Sequence, residues 1–171
     1  MIDANLSDLA VVHPNLTWTD IRLAAIAVFT SRLHESPVEF SFSLSEIPGF
    51  NDNTLTLLIH FGQFSANDVK AIQRTYDAAR LVELAALAMA GLVLYHAGEH
   101  RFVDIAQRGT AADYIIDDEE YLLEVAGRSR RRDLAAVWDE KIHRLSRNRN
   151  NGFFVCVAEF ETNTARISFY S

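Results

Sequence analysis

Apolar positions along this chain change period several times, and each change marks an element. Between Thr17 and Leu33, Ile21, Leu23, Ala24, Ile26, Ala27 and Phe29 recur at helical spacing. Thr17 or Thr19 can cap that helix, and Ser36-Pro37 stops it. Val38 to Leu44 then alternates, with Val38, Phe40, Phe42 and Leu44 on one face, which predicts a half-buried strand. Pro48-Gly49 and Asn51-Asp52-Asn53 form a turn region. Leu55 to Phe64 follows as a second strand, the expected hairpin partner of the first. Residues 1–16, with Pro14, have no clear period and are expected to be irregular.

Ser65 opens a helical region that reaches Tyr95, as one helix or two, with Asp68 placed as a variant capping box. Between Leu81 and Tyr95 only Glu83 is charged. A helix apolar on every side is buried on several. Glu83 therefore requires a partner, a wet pocket or an exposed first turn. Arg101 to Ala106 reads as a short strand.

The next stretch, AADYIIDDEEYLLEVAG from Ala111 to Gly127, places an acidic tetrad between two apolar runs and predicts a tight hairpin. With Asp118-Glu119 as the turn, Ile115 faces Leu122 and Asp113 faces Glu124. Paired positions share a face, so these two carboxylates would be neighbours. Their repulsion would be relieved by a cation or by one shared proton. Arg128 to Arg149 is expected to be a basic helix. Leu134, Trp138, Ile142 and Leu145 form its apolar stripe, with Lys141 at the inner edge. Gly152 to Phe160 reads as a central strand buried on both faces, and Ala165 to Tyr170 as the strand that ends the sheet.

Length and composition add bounds. At 171 residues the chain is expected to form one domain. Its only cysteine, Cys156, excludes an internal disulfide and lies in an apolar run, as a structural thiol would. The first residues lack the basic start and apolar core of a leader, and the apolar run Leu84–Tyr95 is too short to cross a bilayer, so a cytoplasmic protein is expected. The net charge of −7 is uneven. Residues 1–127 hold seven basic and eighteen acidic residues, whereas 128–149 hold eight basic and three acidic. Most of the surface would repel a polyanion and one segment would attract it. The His96-x-x-Glu99-His100 pattern matches one metalloprotease class, but Gly98 terminates the helix and would separate the two His.

From about residue 70 the order is helix, three strands, helix, two strands. With Asp113 and Glu124 in the hairpin arms, this order resembles the core of the PD-(D/E)XK nuclease superfamily. The resemblance covers roughly 100 of the 171 residues. It implies an α+β fold (an αβββαββ core) with a central mixed sheet flanked by helices, restriction-endonuclease-like. Residues 1–64 would add a helix and β-hairpin extension packed on the core at 65–171. It further implies that Asp113 and Glu124 bind Mg²⁺ or Mn²⁺. The Lys expected two residues after the second acid is replaced by Ala126, and Ala112 replaces a Pro. Lys141 would substitute from the following helix, and Glu83 would be the acid contributed by the first core helix. Arg128, Arg130, Arg131, Arg132 and Arg144 would hold a nucleic-acid backbone. Two functions fit these residues: a metal-dependent nuclease, or an inactive nuclease-fold module that binds a protein partner or a second copy of itself.

Overall fold

The computed structural model describes residues 1–106, 112–118, 121–131, 134–147 and 151–171. Their fold is α+β: one mixed eight-stranded sheet with five helices. In chain order the elements are β1 (Ile2–Asn5), α1 (Leu9–Val12), α2 (Thr19–Ser31), β2 (Val38–Ser45), β3 (Thr54–His60), α3 (Ala66–Thr75) and α4 (Ala78–Gly98). Then come β4 (Phe102–Ile105), β5 (Tyr114–Ile116), β6 (Tyr121–Arg128), α5 (Leu134–Leu145), β7 (Phe153–Glu159) and β8 (Thr164–Tyr170). The strand order across the sheet is β1-β3-β2-β8-β7-β6-β5-β4.

Helix α4 lies at the centre. Asp77 caps it by accepting from the Arg80 amide, and Glu99 ends it in a left-handed conformation just after Gly98. Its 21 residues are long and apolar enough to cross a membrane by length and composition, contrary to the sequence expectation. Here it is a core helix, buried between α2 and the sheet. The main core joins α2 and α4 to the inward residues of β2, β3, β7 and β8. A second, smaller core lies on the opposite face, where Val137, Trp138 and Leu145 of α5 cover Leu122, Ala126, Val155 and Val157. The predicted stripe of α5 is the face that packs there.

Three further expectations change. Residues 1–16 are not irregular: β1 pairs in parallel with β3, and α1 follows a 3-10 turn at Leu6–Asp8. The strand at Ala165–Tyr170 does not end the sheet. It pairs with β7 on one side and in parallel with β2 on the other. An alternating apolar pattern records that one face is buried, and says nothing of whether both edges are paired. The basic segment is not one helix. Arg128 belongs to β6, Arg130 and Arg131 lie in the connection, and helix begins at Leu134. Arg132 and Arg149 lie outside the described residues.

Candidate active site along the open edge of β6

The hairpin register follows the sequence expectation over three pairs: Tyr114 with Leu123, Ile115 with Leu122 and Ile116 with Tyr121. The ladder then stops. β6 continues through Arg128 while β5 begins only at Tyr114, so among the described residues Val125 to Arg128 has no strand beside it on that edge. Asp113 occupies the break. Its amide donates to the Leu123 carbonyl at 2.9 Å, and its Oδ2 accepts from the Val125 amide at 3.1 Å. A side-chain carboxylate thus takes the hydrogen bond that a longer β5 would supply, and Asp113 is not a ladder partner of Glu124.

A cleft of about 290 Å³ opens at this break. Arg80, Glu83, Leu84 and Leu87 of α4 form one wall, Ile105 and Tyr114 another, and Asp113, Val125 and Lys141 complete it. A second cleft of about 380 Å³ continues past Glu83, between Val82 and the stretch Gly127 to Arg130. Gly127 is required there, because a Cβ at this position would sit 2.3 Å from the Val82 carbonyl oxygen. The last residues of β6 therefore press directly on the first turns of α4.

Glu124 points to the α5 face and is fully buried. Its Oε1 accepts from Lys141 Nζ and lies 3.3 Å from Arg144 Nη1. Its Oε2 is buried without a hydrogen-bond partner among the described residues. Burial pushes the Glu124 carboxyl above its ordinary range; the Lys141 hydrogen bond opposes this, and the negative charge of Asp113 reinforces it. Lys141 is only 15% exposed. Burial likewise raises the Tyr114 hydroxyl pKa, with Asp113 adding to the effect.

Glu83 meets one of its expected conditions, a partner: it pairs with Arg80 at 2.9 Å, one helical turn away, and it is exposed although it lies beyond the first turn of α4. Arg80 escaped the sequence reading, although the three-residue spacing to Glu83 is an ion-pair signal. Ile105 and Tyr114 read only as strand residues. Asp113, Glu83 and Lys141 thus meet in one cleft, with Glu124 bound to Lys141. Arg128 and Arg130 lie along its continuation; Arg131 instead gives its amide to Glu161.

The other candidates are structural. His100 is nearly buried, with Nδ1 2.5 Å from Asp117 and Nε2 2.8 Å from the Pro48 carbonyl, while Glu99 caps α4. The Cys156 thiol is pushed up to about 12 by burial. No cluster of three or more His, Cys, Asp or Glu suited to a metal ion occurs among the described residues. No protein-family model, curated protein or solved structure matches the chain.

Proposed function

We propose that the chain is a metal-dependent nuclease-like protein of PD-(D/E)XK type that acts on nucleic-acid phosphodiesters. The observation that carries this reading is the Asp113–Glu124–Lys141 group at the break in the β5–β6 ladder. Mg²⁺ keeps several waters and is commonly held by one or two carboxylates together with substrate phosphates. The Oε2 of Glu124, without a partner among the described residues, and the carboxylate of Asp113 fit such a donor set. A bound divalent ion would polarise the phosphate and acidify a water.

The residues of the chain supply the rest. Lys141 holds Glu124 in one orientation and favours its ionised form. The Val125 amide fixes Asp113. Arg80, Arg128 and Arg130 surround the clefts with exposed or half-buried guanidinium groups that attract phosphate. Titration of Mn²⁺ or Mg²⁺ by calorimetry, with Asp113→Ala as control, tests the reading. Saturable binding that the variant loses supports it, as does cleavage of nucleic acid that the variant loses.

A second reading, an inactive nuclease-fold module acting through a protein partner, draws on Ala126. It is buried against α5 at the position where a nuclease of this type has its Lys. No cation binding and no cleavage in the unaltered protein would favour the module.

A further inference from the structure

The clefts on either side of Glu83 follow one line, the edge of β6 that has no strand beside it among the described residues, and their linings differ in character. At the Asp113 end the wall is partly apolar, with Leu84, Leu87, Ile105 and Tyr114. Ile105 is 64% exposed, although it is a large aliphatic residue in a strand. At the Gly127 end Ala79, Val82 and Ser129 lie beside Glu83 and the two arginines Arg128 and Arg130. Continuing from the nuclease reading, on which this inference rests, we propose that this groove takes a single unpaired nucleic-acid strand. One base would lie on Ile105 and Tyr114, its phosphate at the divalent cation that Asp113 and Glu124 would hold, and the next phosphate at Arg128 and Arg130.

Three features select an unpaired strand over a duplex. A duplex keeps its bases stacked inside and offers phosphates and groove edges, so an apolar rim has nothing to contact. An unpaired strand exposes base faces, which apolar and aromatic side chains hold without sequence preference. The candidate carboxylates of the hairpin are recessed: Glu124 has no solvent exposure, Asp113 is half-buried, and α4 with Ile105 and Tyr114 walls the approach. A rigid double helix cannot enter a cleft of about 290 Å³, whereas one nucleotide can. The charge balance agrees. The acidic first three-quarters of the chain repels a wide, densely charged polyanion, and only a narrow line of cations offsets it.

The test measures binding of a fluorescein-labelled oligothymidylate and of a duplex of equal length, by anisotropy at low salt with Ca²⁺ in place of Mg²⁺, another hard cation held by oxygen ligands. The oligothymidylate is expected to bind about tenfold tighter or more. Ile105→Ser, at an exposed position that tolerates the change, is expected to remove most of that preference while leaving duplex binding unaltered. Ile105→Trp is expected to increase it. Arg128→Ser with Arg130→Ser should weaken binding and flatten its salt dependence. Duplex binding as tight as that of the single strand, or a preference indifferent to Ile105, would overturn the inference and leave the nuclease reading standing. Absence of binding to either oligonucleotide overturns both.

Discussion

Glu124 carries one oxygen in an ion pair and one without a partner among the described residues, so its energy depends closely on Lys141. Breaking a buried pair from one side is far more damaging than removing both charges. Lys141→Met should therefore cost about 3 kcal/mol in urea denaturation, and adding Glu124→Gln should recover most of the loss. The pH dependence follows from the sign of the shift. A carboxyl whose pKa is raised by folding binds more protons in the native state, so its contribution is present below about 4.5 and is lost as pH rises through the folded value. In Lys141→Met, stability should fall as pH rises above 4.5, more steeply than in the parent. His13 acts in the opposite direction. It is buried between the Gly91 carbonyl and the Phe102 amide, and burial lowers its pKa below 6.5. Its contribution is complete above 6.5 and is lost as pH falls through the lowered value. Acid titration of the unfolding free energy should lose part of its slope in His13→Gln. That Asp113, Glu124 and Lys141 lie near one another was legible in the sequence, because hairpin and helical stripe are both local, but the binding of Asp113 to the Val125 amide in place of a pairing with Glu124 was not. Nor was the state of the second Glu124 oxygen, since it depends on what packs from distant elements.

At the scale of elements, the close approach of β6 to α4 is the constraint that shapes the site. Gly127→Ala would place a methyl against the Val82 carbonyl, and backbone cannot rotate away as a side chain can. The change should cost about 1–3 kcal/mol or more, measured by thermal or urea unfolding, and should displace the Arg128–Arg130 stretch from the cleft. The basic segment illustrates where pattern reading ends. Arginine favours helix, and Arg128 to Arg132 runs directly into the stripe of α5, so nothing local separates them. What ends β6 at Arg128 is seven-residue parallel pairing with β7, including Arg128 with Glu159. That partner lies about thirty residues downstream, beyond the reach of any local period.

For the whole molecule, the parallel pairing of β2 with β8 joins the N-terminal hairpin to the last strand, and α2 packs on the buried side of α4. A chain beginning at Ser65 would expose the β8 edge and the apolar face of α4 together. Residues 65–171 alone are expected to lack a cooperative unfolding transition by circular dichroism, whereas the full chain should unfold in one step. The mixed α+β class could be read from the order of periodicities. One domain is expected from length, but the joining of its two halves in a single sheet could not be read, because neither β8 nor β2 carries a sequence mark of the other.

The Asp113 carboxylate, which accepts the hydrogen bond of the Val125 amide, also provides a reporter. A cation drawn to that carboxylate must change the hydrogen bond this one amide proton makes. In a nitrogen-edited NMR spectrum the Val125 resonance should move as Mg²⁺ is added, while the amides of Tyr121 and Leu123 on the same strand move far less. A single backbone signal would then register occupancy of the site with no nucleic acid present.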